Sequence, residues 1–522
     1  METATPLSTH PLSTYIASAI FTAVALIVVS FWSRTEKPFK GLELAIGPED
    51  GVSSSDAEKA YGVKGPTILE AGTQKFRRKA FQVYGESGPI IVLPSTQYFA
   101  EVKSDPRFDS HQANRKVFMI DFPGFEGLLA VTHDKLLGEV IRSNLKSGLA
   151  HLNEDLLEEI DNAAGAVLGD PSDWTSIGML YPCYHMVARV STRLFLGLPL
   201  CRDPRWLDIA VQYTAELFEG TRTLRFWPER LRPLAHWFLP QCRKLRATVR
   251  RAREVLTPGI TQLRREWEER QRAGDKAPSN NIIHMMLDMA TKKGYPIDDI
   301  DFVVSELGLT AAAMHTTTDM VMQTLFDICC HPEYLEPLRA EIDELLAANG
   351  GVLGKTTKLS SLRFMDSFMK EVQRMKPATL TGSKRVTTED VRLADGTFLA
   401  KGSYVALYNN ARTDGTFYPD PERFDPYRSM RAREEPGKEN MHQFVSTSPE
   451  SVGFGHGMHA CPGRFIASNE IKLILCVLLT RYDWRLPDGA SKPQPISVGA
   501  ELLADPVAHL MYKKRSFQEC DV

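Results

Sequence analysis

The stretch Phe454-Gly455-His456-Gly457-Met458-His459-Ala460-Cys461-Pro462-Gly463-Arg464 decides how the rest of the chain is read. It holds one cysteine among residues suited to unusual backbone geometry. Gly455, Gly457 and Gly463 allow positive φ and let the main chain approach a flat ligand where a Cβ would collide. Pro462 sits where a first helical turn would begin, and the apolar spacing after Arg464 is helical, which predicts Cys461 at a helix N-terminus. Free N–H groups and the positive end of the helix dipole there favour a thiolate. A thiolate so placed is a soft axial ligand, and heme iron is the metal that takes one. The competing reading is a buried structural cysteine in a Gly-rich turn, and context must decide between them.

The stretch resembles the proximal heme-binding loop of the cytochrome P450 family, through Phe454-Gly455-x-Gly457-x-His459-x-Cys461-x-Gly463. The resemblance implies a mainly α fold with a smaller β region, heme b as cofactor and Cys461 as the metal ligand. Family members usually carry Arg two residues before the cysteine, holding a heme propionate. His459 stands there, and a histidine can still donate to a carboxylate.

The chain has 522 residues with no Pro/Gly/Ser-rich linker in its interior, so one large domain behind a short anchor is expected. A net charge of -3 gives no reason to propose nucleic acid as a partner. The 8 cysteines are scattered without zinc-type spacing, and no Asn-x-Ser/Thr sequon occurs, which suits a reducing compartment.

Residues 15–32, YIASAIFTAVALIVVSFW, form an uncharged run just long enough to cross a bilayer. Arg34, Lys37 and Lys40 follow it and no Lys or Arg precedes it, so the positive-inside rule places the rest of the chain in the cytosol. The expected division is a lumenal segment 1–14, a transmembrane anchor 15–32, a linker 33–45 and a cytosolic catalytic domain 46–522. A cleaved signal peptide competes, although its basic n-region is missing.

A second segment, residues 301–330, reads as a long apolar helix containing Ala312-Ala313-Met314-His315-Thr316-Thr317-Thr318. Threonines in a buried helix crowd χ1 and compete for backbone carbonyls, and a break of local rules needs a reason. The resemblance supplies one. Ala312 and Ala313 leave room for dioxygen over the distal heme face, and Thr316 donates a hydrogen bond to it. His315 replaces the usual Asp or Glu before that threonine; it is either a proton shuttle or a hydrogen-bonded core histidine. Thr317 and Thr318 are expected to satisfy backbone groups.

A third segment, residues 364–374, is amphipathic, with Glu371 and Arg374 on one face. The proline-locked coil Tyr418-Pro419-Asp420-Pro421-Glu422-Arg423-Phe424-Asp425-Pro426 resembles the family's meander, which implies that Arg423 completes a buried Glu-Arg-Arg cluster. Residues 89–94 form a proline-bounded strand, and residues 385–387 and 404–407 read as strands joined by a tight turn at Asp395-Gly396. Residues 133–168 and 174–270 are helical, and the charged run 243–272 reads as a solvated helix pair. By resemblance, Arg385 reaches a heme propionate. Arg142 stands where an early helix often supplies another, though Gly138 replaces the usual Trp and a solvated arginine is the alternative. An apolar lid with Phe122 and Phe125 would cover the substrate, and Ala313, Ala378, Thr379, Leu380, Leu502 and Leu503 would line its pocket.

Within the family the closest resemblance is to fungal enzymes of terpenoid and related secondary metabolism, the ent-kaurene oxidase group, through Cys201-Arg202-Asp203, Trp206-Leu207 and Ala467-Ser468-Asn469-Glu470. This implies a monooxygenase in the endoplasmic reticulum membrane acting on an apolar small molecule with O2. No flavin or dinucleotide fingerprint is present, so electrons are expected from a separate NADPH-cytochrome P450 reductase. The rival readings are a heme-thiolate isomerase or dehydratase working without O2, and a non-enzymatic heme binder.

Overall fold

The computed structural model describes Thr22 and residues 37–516, apart from 86, 87, 134, 276, 355 and 356, and only the backbone of 133 and 144–150. The anchor expected at 15–32 and the segment 1–14 lie outside these residues, Thr22 excepted. Among the described residues no helix is long and apolar enough to cross a membrane. The stretch expected as a linker belongs to the folded body from Phe39 onward. Gln82 ties it down, accepting from Phe39 N at 2.8 Å and donating to Leu42 O at 2.6 Å.

The chain is mostly helical with a smaller β region. In order, the elements that place the site are α1 (Ser54–Lys75), β1 (Phe81–Gly85), β2 (Gly88–Pro94), β3 (Phe108–Asp109), α2 (Ser110–Phe118), α3 (Glu126–His133), α4 (Lys135–Gly148), α5 (Leu180–Phe195), α6 (Pro204–Arg225), α7 (Pro240–Ala273), α8 (Phe302–Cys330), α9 (Arg363–Met375), β4 (Thr381–Thr387), β5 (Tyr404–Tyr408), α10 (Arg464–Arg481), β6 (Ile496–Val498) and β7 (Glu501–Leu503). The strands from both ends of this list meet in one sheet of order β1-β2-β5-β4-β3, in which only the β2–β5 pair is parallel.

At the centre lies α8. Asp301 caps it, accepting from Val304 N at 3.1 Å, and α3, α5, α6, α7, α9 and α10 pack around it. Its crossing with α3 is closed by two glycines. A Cβ on Gly308 would lie 2.2 Å from Gly127 O, so a side chain at either position would force the helices apart.

Three local expectations are corrected. The charged run is one helix, α7, rather than a pair. A 3-10 turn over Leu149–Leu152 splits the helix expected over 133–168. Asp395-Gly396 turns a separate two-residue hairpin, Val391–Arg392 on Phe398–Leu399, whereas β4 and β5 pair with each other across the whole excursion. A turn signal fixes its own four residues, and sheet partners are chosen by burial further away.

Candidate functional site

Gly455 and Gly457 take φ of +67° and +72°, as the loop reading requires. Gly463 does not: it caps α10 with φ of -83°, and the helix begins at Arg464, after Pro462 rather than on it. The loop is closed by Cys461 N donating to Phe454 O at 2.7 Å, and the Phe454 ring stands edge-on to Phe444 with centroids 5.0 Å apart. The backbone N–H groups of Gly463 and Arg464 point at the Cys461 thiol. Burial pushes that thiol up, while these two donors and the Arg464 charge pull it down. The expected donors are therefore present, but burial outweighs them in the chain alone, and a cation on the sulfur is what would complete the thiolate.

Arg385 and His459 come together. The Arg385 side chain is 5% exposed, its only hydrogen bond among the described residues runs from Nη1 to Lys384 O at 2.8 Å, and no carboxylate there lies within ion-pair distance. His459 is held below its usual pKa by partial burial and by the charges of Arg385 and His111. A buried guanidinium that feels the Asp109 charge but has no carboxylate in ion-pair contact among the described residues, near the His459 imidazole, fits an incoming carboxylate such as a heme propionate. Arg142 is exposed on α4, with its Nη2 3.2 Å from where a Gly138 Cβ would sit. It makes no hydrogen bond or ion pair among the described residues.

Most of α8 is buried, yet Ala312 and Thr316, one turn apart, are exposed and Ala313 is half-buried. A helix packed by six others exposes such a stripe only where it borders a cavity. Thr316 Oγ1 donates back to its own helix, 3.1 Å from Ala312 O and 3.3 Å from Ala313 O. Thr318 departs from expectation, since its buried Oγ1 has no hydrogen-bond partner among the described residues. His315 points elsewhere. Its Nδ1 meets the Tyr184 hydroxyl of α5, its ring stands edge-on to Phe218 of α6 at 5.2 Å, and burial lowers its pKa to about 4, opposed by a hydrogen bond to the Thr214 backbone. Asp319, one turn beyond Thr316 on the same face, had not been singled out. It accepts from Ala504 N at 2.6 Å, tying the end of the β7 hairpin to α8, and burial raises its pKa to about 6.

The buried cluster contains Glu371 and Arg374, paired at 2.8 Å, but Arg423 is not its third member. Arg423 is exposed, and Arg428 takes the place, with Nε 3.4 Å from Glu371 Oε1. The cause is an anchor earlier in the coil. Ser367 Oγ donates to Pro426 O at 2.5 Å and Asp425 N donates to Glu371 Oε1 at 3.0 Å, so the side chain two residues after Pro426 falls beside Glu371. Pro426 was the signal, since it fixes the chain two residues before Arg428.

The pocket assignments divide. Phe125 is fully buried, with its ring 3.1 Å from where a Gly220 Cβ would sit, and Phe122 packs on His236 at 5.0 Å; the first is core rather than lid. Leu380 and Leu502 are buried in a core cluster beneath the hairpin, whereas Leu503 is 37% exposed. Ala378 is half-buried beside them. Thr379 pairs with Glu501 and lines a cavity together with Phe118 and Phe218.

The sequence profile of the Cytochrome P450 family matches residues 76–510. The chain is 36% identical over 438 residues to cytochrome P450 monooxygenase 1 of Gibberella fujikuroi, covering 84% of this chain and 98% of that one. It is 36% identical to cytochrome P450 monooxygenase bsc11 of Alternaria brassicicola, over 96% of this chain and 94% of the other. With fumitremorgin C monooxygenase of Neosartorya fischeri the identity is 34%, over 89% of each.

Proposed function

Because this chain belongs to the cytochrome P450 family of heme monooxygenases, we propose that it oxidises an apolar, terpenoid-derived small molecule in fungal secondary metabolism, using O2 and electrons that originate in NADPH. Bound heme b would supply dioxygen activation, with electron density from the Cys461 thiolate favouring O–O cleavage. The chain's own groups do the rest. Arg385 and His459 would hold the propionates, and the Gly463 and Arg464 N–H groups would share the sulfur's charge. Ala312 keeps the cavity open beside Thr316.

The observation that carries the reading is the exposed hydroxyl of Thr316 inside a buried helix. Rotating about χ1, its O–H can leave the Ala312 carbonyl, donate into the cavity, and recover a proton from the same space. His315 is packed away between α5 and α6 and gives no support to the isomerase reading. Electrons would arrive from a separate NADPH-cytochrome P450 reductase docking beside the cysteine loop, where Met458 is 77% exposed. The apolar run at 15–32 and the basic residues after it favour an anchor in the endoplasmic reticulum membrane, with the catalytic domain in the cytosol and residues 1–14 in the lumen.

The Cys461→Ala variant tests the core of this. It should lose the carbon monoxide difference band at the thiolate position in the reduced protein; a retained band would refute the ligand.

A further inference from the structure

A cavity of about 900 Å³, counting its open mouth, lies between α1, β2, α2, α6, β4, β5 and the β6–β7 hairpin. Ile90, Phe118 and Phe218 give the lining an apolar part. Phe218 touches His315, the residue before Thr316, so one wall of the cavity rests on α8.

Charge on the lining is one-sided. Lys116, Arg222, Arg225 and Lys384 stand against one carboxylate, Glu501. These cations come from three separate elements, α2, α6 and β4, which a solvated face of a single helix would not produce. Two are held in place: Arg225 Nη2 donates to Val117 O at 2.8 Å, and Lys116 Nζ lies 5.7 Å from the centre of the Tyr404 ring. Arg222 makes no hydrogen bond or ion pair among the described residues. Lys384 lines this cavity, while its neighbour Arg385, just past an irregularity in the β4–β5 ladder, lies near His459.

We propose that the substrate is an amphipathic carboxylate whose apolar skeleton passes Phe118 and Phe218 toward Thr316 while Arg222 and Lys384 hold its carboxylate at the mouth. This rests on the monooxygenase reading and narrows its substrate class. A single carboxylate suits the place better than a diphosphate, because each further charge adds to the desolvation cost at an apolar wall. The cationic field also raises the local concentration of such an anion.

The test is a titration of the heme-loaded enzyme with matched pairs, abietic acid against methyl abietate and dodecanoic acid against methyl dodecanoate, read by the Soret shift on binding. At low salt at least one acid should bind about tenfold more tightly than its ester, the effect of one charge-assisted contact. Added salt, Arg222→Glu or Lys384→Gln should remove that preference and leave ester binding unchanged. Equal binding within both pairs, failure of both acids to bind, or a preference that survives both substitutions would overturn the proposal. The carbon monoxide band at the thiolate position, recorded on the same samples, shows whether the monooxygenase reading stands when this one falls.

Discussion

At the scale of single residues, chemistry depends on which side chains meet the cavity. Thr316 meets it and His315 does not, although the two are adjacent, because successive residues on a helix point about 100° apart. Thr316→Ala should therefore lower product formation on the order of 100-fold while reductant consumption continues and peroxide accumulates. Thr316→Ser should restore the coupling. The measurement is the ratio of product to NADPH consumed, and coupling unchanged in the alanine variant would place proton delivery elsewhere. Cys461 and Thr316 were legible in the sequence because each breaks a local rule, a Gly-rich approach to a helix in one case and hydroxyls in an apolar helix in the other. Asp319 breaks none. Its importance comes from a hairpin far along the chain, whose Ala504 N–H it accepts.

At the scale of elements, helix boundaries followed periodicity closely, as α8 and α9 show, because their apolar faces are continuous. What could not be read was which of two nearby arginines a proline-rich coil would turn inward. Arg423 and Arg428 are both plausible partners for Glu371, and only the bonds from Ser367 and Asp425 decide. Phe125 was misplaced for a related reason: an aromatic in a loop reads as lid or core alike until its neighbour, Gly220, is known. Removing one partner of a buried ion cluster leaves a charge unpaired, so Arg428→Ala should cost roughly 3–5 kcal/mol. Arg423→Ala, at an exposed position, should stay within about 0.5 kcal/mol. Urea unfolding of the two holoproteins would separate them, and a lower midpoint for the Arg423 variant than for the Arg428 variant would return the assignment to Arg423.

At the scale of the whole molecule, burial of acids sets how stability depends on pH. Glu306 in the first turns of α8 is fully buried, accepts from Thr310 at 3.4 Å, and is raised by burial from 4.5 to about 8. Glu470 of α10, accepting from Ser191 at 2.7 Å, is raised by burial to about 7. Each binds a proton in the native state that the unfolded chain has already released, so each erodes stability as pH rises from 4.5 to its native pKa. His315 works the other way. It is neutral when folded down to about 4 and protonated when unfolded below 6.5, so it erodes stability as pH falls through that window. The two tendencies oppose each other below pH 6.5; above it, until Lys370, lowered by burial to about 8, begins to act in the opposite sense, the two acids dominate among these groups. Stability should then decline on the alkaline side of neutrality, with Glu306 alone contributing up to about 1.4 kcal/mol per pH unit. Glu306→Gln keeps the shape and the Thr310 partner but carries no proton to lose, so its unfolding midpoint should be flatter between pH 7 and pH 8 than that of the parent chain. Parallel slopes in the two proteins would mean that Glu306 is ionised in the fold, and that a cation must reach it.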